Sequence, residues 1–256
     1  MIEKIIHQIW LQGELNIPNK YYSNISSVKK FHNSWQYILW DEIKILKLIL
    51  TKKEWTDIYY KFIYIHQKID FAKYVILYTY GGIYIDIDVE VIKSFDNIIG
   101  KKDSYDLIVS KTSVNSYESL ITSGSFETYN NGIIIAKKNS KILLILINYI
   151  IEKFYLPFFE SKVFNINYTT GPYIFTDVIS KNKSNVKILD SDYLEPCLID
   201  SCTITSNTIS IHKHELSWMP KFLVTIINFY LKNKLTVTGL IFLIVILIIL
   251  KIKNKL

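Results

Sequence analysis

Asp86 and Asp88 stand two residues apart, with Tyr84 before them, in the run DFAKYVILYTYGGIYIDIDVE over residues 70–90. At a strand period of two, Tyr84, Asp86 and Asp88 point one way and Ile83, Ile85, Ile87 and Val89 the other. Carboxylates that close together on a face shared with a tyrosine need a cation to offset desolvation and repulsion. A hard divalent ion is the economical choice. Mg2+ and Mn2+ take carboxylate, water and phosphate oxygens and leave positions open for a phosphate-bearing ligand. An isolated Asp-x-Asp is a weak signal, since a solvated strand end carries the same pattern. The residues around it are more specific.

The elements that must position this pair are legible from spacing. Tyr74, Leu77 and Tyr78 follow Asp70 and Lys73 at steps of three and four, without glycine or proline until Gly81-Gly82, which predicts a helix ending in a glycine turn into the strand. Upstream, Ile5 to Trp10 and Tyr37 to Trp40 read as strands, and the region from Tyr22 to Trp40 is otherwise mixed. Asp41 caps a helix through Leu50, and a further helical stretch runs from Trp55 into the motif. Downstream, strands are expected at Ser104–Val109, Gly132–Ala136, Ile188-Leu189 and Thr208–His212, with helices at Lys141–Tyr155 and Tyr173–Ile179. This alternation predicts an α/β fold with crossovers, whose ligands gather beyond the carboxyl ends of strands. Asp86 and Asp88 fall at such an end.

The chain has 256 residues, half of them apolar, enough for one large domain with a short appendage. Its net charge of +7 resembles a nucleic-acid footprint, but Lys221, Lys232, Lys234, Lys251, Lys253 and Lys255 follow the last acidic residue, Glu215. The body is therefore close to neutral, and no nucleic-acid partner is expected. Residues 235–250, LTVTGLIFLIVILIIL, are uncharged and closed by Lys251, which predicts a transmembrane anchor over 235–252 with a juxtamembrane segment over 221–234. That places the protein in a membrane, single-pass through a C-terminal helix, in the Golgi or another endomembrane if the source is eukaryotic. The IEKIIHQIW start lacks the basic-then-apolar pattern of a cleavable leader. Cys197 and Cys202 suit either a small disulfide loop or two thiols.

Five segments carry a family resemblance: IIHQIWLQG, the central DFAKYVILYTYGGIYIDIDV, YNNGIIIA, TGP at 170–172 and IHKHELSW. In this order they resemble the motifs of the DXD glycosyltransferases typified by the initiating α-1,6-mannosyltransferase and the inositol phosphoceramide mannosyltransferases, over about residues 2–218. The resemblance implies a GT-A fold over 1–220 with a mostly parallel central sheet. It also implies transfer of a hexose from a nucleotide sugar with retention of anomeric configuration, mannose from GDP-mannose being favoured and a UDP-hexose possible. Site residues carry over by position. Trp10 matches the tryptophan against the nucleotide base, and Asp70 the aspartate on donor-sugar hydroxyls. Tyr84 and Asp86 match contacts to the nucleotide and ribose, with Asp86 near the metal, and Asp88 matches the direct Mn2+ or Mg2+ ligand. Asn131 matches an asparagine near the sugar, His212 a histidine that approaches the metal, and Ser217 and Trp218 the pair on the diphosphate. The catalytic group is thus Asp70, Asp86, Asp88 and Asn131.

One residue departs from the pattern. Lys73 stands where the family has arginine, a flexible point donor in place of a planar fork. Two other classes compete with the transferase: a degenerate sugar-nucleotide-binding subunit, supported by Lys73, and a metal-dependent phosphoester hydrolase, disfavoured by the few carboxylates outside the motif. With the expected anchor close behind Trp218, the acceptor is expected to be a lipid headgroup or membrane-bound glycan.

Overall fold

Short runs of isoleucine, valine and aromatic residues form the strands, in a computed structural model that describes residues 1–100, 105–113, 127–154, 161–198, 201–215, 220–233 and 236–240. The strands are β1 (Ile5–Ile9), β2 (Gln36–Trp40), β3 (Gly82–Ile85), β4 (Val89–Val91), β5 (Leu107–Ser110), β6 (Ile133–Ala136), β7 (Val186–Leu189), β8 (Cys197–Leu198), β9 (Ser201–Cys202) and β10 (Ser210–His212). The helices are α1 (Tyr22–Phe31), α2 (Glu42–Ile49), α3 (Lys53–Tyr59), α4 (Ile65–Tyr80), α5 (Lys141–Lys153), α6 (Lys162–Thr169), α7 (Pro172–Lys181), α8 (Ser191–Leu194) and α9 (Lys221–Lys232). Six strands make the central sheet, in the order β2-β1-β3-β6-β5-β7, while β4 pairs with β10 and β8 with β9. In the sheet, β1 is parallel to β2 and β3, and β5 is parallel to β7. The exception is β6, antiparallel to both neighbours, so its amino end lies beside the carboxyl ends of the others.

Side-chain alternation buries the sheet on both faces. Ile9, Tyr84, Leu107, Val109, Ile134 and Ala136 pack with Ile45, Trp55, Phe71, Val75, Leu143 and Val178 from the helices. On the other face, Ile6, Ile83, Ile85, Ile108, Ile133 and Ile135 meet Val28, Trp35, Val89, Phe95 and Leu194. Each such side chain contributes about 1.5–3 kcal/mol by leaving water. The central helix α4 is buried without interruption from Asp70 to Leu77, polar residues included.

The turn out of α4 requires both glycines. Gly81 and Gly82 take φ of 69° and 94°, where a Cβ is strained. Added Cβ atoms would also press on the Glu3 carboxylate and on Ile5 O. The buried His7 fastens this turn to β1: its Nε2 donates to Gly81 O at 2.9 Å, and its Nδ1 accepts the Trp40 indole N–H at 3.0 Å. Both partners require the neutral ring, and burial pushes its pKa down to about 4.

Several elements differ from the sequence reading. The strand ends at Ile85 and residues 87 and 88 form a turn, so Asp88 leaves the alternation that includes Asp86. The helical stretch from Trp55 is broken into α3 and α4, where the Gln67 side chain accepts from Ile63 N and Tyr64 N at 3.2 and 3.1 Å. The mixed region holds α1, whose apolar side is carried by Ile25 and Val28. Residue 104, the expected start of β5, lies outside the described residues.

The chain divides into Met1–Glu215 and Leu216–Leu256. The membrane expectation is corrected in the second unit: among the described residues no helix is long and apolar enough to cross a membrane. Helix α9 has 12 residues, about 18 Å of rise against a hydrocarbon core of about 30 Å. Of the expected span over 235–252, only residues 236–240 are described. The transmembrane helix, the single-pass endomembrane placement and the membrane as a partner fall together. With them goes the anchor-based reason for expecting a lipid headgroup or membrane-bound glycan.

Candidate active site

The carboxyl edge of the sheet brings together residues from four separate segments. Asp86 follows β3 directly, and its N–H donates to Gly132 O at 2.8 Å, extending the β3–β6 pairing by one step. Its backbone carbonyl accepts from Gln8 at 3.3 Å, and the carbonyl of Ile87 accepts from the buried Asn24 at 3.1 Å. Asp88 is fixed from the other side: its carbonyl accepts from Lys213 N and its Oδ2 from Glu215 N, both at 3.1 Å. The turn is thus clamped between β1, α1 and the segment after β10.

His212 closes the cluster. Its Nε2 lies 3.1 Å from Asp88 Oδ1 and 4.0 Å from Asp86 Oδ2. Groups about 2.1 Å from an octahedral ion sit about 3 Å apart when adjacent and about 4 Å when opposite, so these separations fit one hard cation. The three ligand atoms lie within 4.8 Å of one another. Space for an ion depends on Gly132, where a Cβ would stand 2.7 Å from Asp86 Oδ2 and 2.7 Å from His212 Cε1. Two carboxylates and one imidazole suit Mn2+, with Mg2+ accommodated through the oxygens. The cluster is therefore capable of coordinating a metal.

Burial raises the Asp86 carboxyl, with Lys73 opposing and Asp88 adding to the rise. Its Oδ1 accepts the Tyr84 hydroxyl at 2.6 Å. Burial alone would raise Asp88 as well, but His212 and the Glu215 amide carry it down to about 2. Burial would lower His212, yet Glu195 on one side and Asp88 on the other raise it well above its ordinary value. Glu195 and Asp88 thus favour the charged form of His212 over the neutral one.

A second group lies on the α4 side. Lys73 Nζ is 2.7 Å from Asp70 Oδ1, with the two side chains 3% and 10% exposed, so this is a buried ion pair. Asn131 Nδ2 donates to Asp70 Oδ1 and to the Tyr74 hydroxyl, each at 3.1 Å, and Thr170 donates to Asp70 Oδ2 at 3.2 Å. Burial raises Asp70, and Lys73 opposes the rise. Lys73 also lies 5.2 Å from the centre of the Tyr84 ring, and Tyr84 in turn holds Asp86, so the two groups are joined.

Asp70, Lys73, Tyr84, Asp86, Asp88, Asn131 and His212 are therefore neighbours or joined by one intermediate. Trp10 lies just past β1, packed with Ile17, Tyr21 and Ile25 in a small cluster that includes Ile87 of the Asp-x-Asp turn. Its indole donates to Asn16 O at 3.0 Å, which fixes the ring. Ser217 and Trp218 lie outside the described residues. Sequence reasoning missed Gln8, Asn24, Gly132 and Glu195. Gly132 and Thr170 lie within the YNNGIIIA and TGP segments, where their types alone signal no role. No spacing pattern singles out Glu195, whose Oε1 lies 2.7 Å from His212 Nδ1 and whose Oε2 lies 2.9 Å from His214 Nε2.

Residues 18–105 match the family described as the glycosyltransferase sugar-binding region containing DXD motif. Over 231 residues the chain is 28% identical to an uncharacterized glycosyltransferase, L373, of Acanthamoeba polyphaga mimivirus, covering 86% of this chain and 85% of that protein. It is 36% identical over 104 residues to inositol phosphoceramide mannosyltransferase 1 of Schizosaccharomyces pombe, a match to 39% of this chain and 32% of the mannosyltransferase. Among solved structures, a glycosyltransferase involved in glycosylating the major capsid of PBCV-1 superposes with a TM-score of 0.48 at 12% identity, covering 82% of this chain and 93% of that one, too loosely to bear on chemistry. These matches support glycosyltransferase activity, and the cluster of Asp86, Asp88 and His212 could hold a metal ion. Over 39% of its length the chain is similar to a protein named as a mannosyltransferase, of which it spans about a third.

Proposed function

We propose that the protein transfers a hexose, with mannose from GDP-mannose the favoured donor, to an acceptor hydroxyl with retention of configuration. The observation that carries this reading is the convergence of Asp86, Asp88 and His212 beside the buried Asp70–Lys73–Asn131 network. A Mn2+ or Mg2+ ion held by Asp86, Asp88 and His212 would supply Lewis-acid stabilisation of the leaving diphosphate. In this reading Tyr84 orients Asp86, and Trp10, fixed through Asn16 O, offers its ring to the base. Ser217 and Trp218 are assigned to the diphosphate by the family motif alone.

Asp70 binds the sugar rather than attacking it. Lys73 and Asn131 engage Oδ1 and Thr170 engages Oδ2, leaving lone pairs for sugar hydroxyls but no free nucleophile. That supports retention without a covalent enzyme intermediate. Lys73 supplies the cation expected of an arginine while paired at 2.7 Å, which favours an active site over a degenerate one. The preference for mannose rests on the relative that is named as a mannosyltransferase. The test is a panel of nucleotide sugars with Mn2+, scored by nucleotide release and by the anomer of the product. GDP-mannose should be consumed fastest. A clear preference for a UDP-hexose would overturn the donor assignment, and an inverted product would overturn retention.

A further inference from the structure

Glu195 is a carboxylate 1% exposed, with an imidazole at each oxygen. It ends α8, while His212 and His214 come from β10 and the residues just after it. The two imidazoles stack at 4.2 Å, which places both ring edges against one carboxylate. His212 thereby has two different sides: Nδ1 faces Glu195 at 2.7 Å, and Nε2 faces Asp88 at 3.1 Å.

We propose that Glu195 is a positioning residue for the metal: Oε1 takes the Nδ1–H of His212 and aims the Nε2 lone pair into the space between Asp86 and Asp88, while Oε2 lies at ion-pair distance from His214. The proposal rests on the reading of Asp86, Asp88 and His212 as metal ligands. A ring nitrogen can bind a cation only with its lone pair free, and the proton then belongs on the other nitrogen. A carboxylate there fixes both the tautomer and the ring plane and makes the ligand more basic. Asn130 Nδ2 also approaches Nδ1, at 3.3 Å, but an amide N–H cannot accept the ring proton. The shorter, charge-assisted contact to Glu195 therefore sets the tautomer.

Glu195, His212 and His214 also form a ligand set in their own right. Access argues against a metal there. An ion that must keep positions open for water and phosphate suits the Asp86 side, where the side chain is 30% exposed, rather than the enclosed Glu195.

The test measures Mn2+ binding by the full chain without nucleotide, from the loss of the free-ion signal in electron paramagnetic resonance. Glu195→Gln should weaken Mn2+ by about 10- to 100-fold, and Asp88→Asn should abolish binding. If Asp88→Asn abolishes binding and Glu195→Gln stays within threefold of the native chain, the role of Glu195 is overturned and the metal site stands. If the native chain binds no Mn2+, both fail. Should Glu195→Gln not fold, 15N spectra of the histidines in the native, Zn2+-loaded chain decide. Metal on Nε2 of His212 with the proton on Nδ1 supports the proposal, and metal on Nδ1 overturns it.

Discussion

Replacing Gly132 with alanine separates the metal site from the fold that holds it. Gly132 does not use left-handed backbone, so alanine is conformationally allowed there. Its Cβ would nevertheless stand 2.7 Å from both Asp86 Oδ2 and His212 Cε1, where ordinary contact begins at 3.4 Å. One of the two side chains must move by about 0.7 Å, against a tolerance of about 0.2 Å for metal–ligand distances. Displacements of this size at reacting groups cost about 100-fold, or about 2.7 kcal/mol. Folding should change less, because the entropic gain of about 0.4–1 kcal/mol from removing a glycine offsets part of the crowding. We expect Mn2+ affinity and kcat/KM for nucleotide release to fall by about 30- to 100-fold, with a melting temperature within a few degrees of native. A Gly132→Ala protein that keeps both within threefold would refute the placement of the ion between Asp86 and His212.

Asp88→Ala should lower metal-dependent nucleotide release by about 100-fold or more, and release that survives the change removes Asp88 from the metal site. Lys73→Met leaves the buried Asp70 carboxylate without its cation, held by Asn131 and Thr170 alone, which should cost about 3–5 kcal/mol in chemical denaturation. The Asp70→Asn, Lys73→Met double variant should recover most of that loss, and a single-variant loss under about 1 kcal/mol would mean the pair is solvated. His7 gives a pH signature. Its folded pKa is about 4 against an ordinary 6.5, so the unfolded chain binds the extra proton first and stability is lost as pH falls from 6.5 towards 4. Full loss is worth about 3 kcal/mol. A His7→Gln protein whose denaturation midpoints fall with pH as steeply as the native ones would exclude His7 as the source.

What was legible in the sequence followed from local chemistry. The helix-to-strand passage at Gly81-Gly82 could be read because only glycine tolerates that backbone, and the Asp-x-Asp pair because few environments accept it. The α1 helix was not, because only Ile25 and Val28 give it a buried apolar side and its N-terminus has no side-chain cap. The end of β3 was obscured because period two continues through Ile87 and Val89, whereas the chain turns at 87 and 88 to pair β4 with β10. The C-terminal apolar run led to the expectation of a membrane helix, and among the described residues no helix is long and apolar enough to cross a membrane. Glu195 was invisible for a different reason. Its meaning depends on His212 and His214, and that contact exists only once β10 is in place.

Asn24 sits in an N-x-S sequence, yet it is wholly buried, its amide reaching Ile87 O and its Oδ1 accepting from Lys213 at 2.7 Å. The Asp-x-Asp turn is therefore braced by a residue that an oligosaccharyltransferase could reach only before the chain has folded. Synthesis order sharpens the point, since Lys213 and His212 emerge long after Asn24 and the turn. β6 must also enter between β3 and β5, although it follows both in the chain. A nascent chain ending at residue 105, where the family match stops, would carry the Asp-x-Asp motif without the residues that complete its metal set. On the proposed reading, capture of a metal would therefore wait until His212 has been made and β10 has paired with β4.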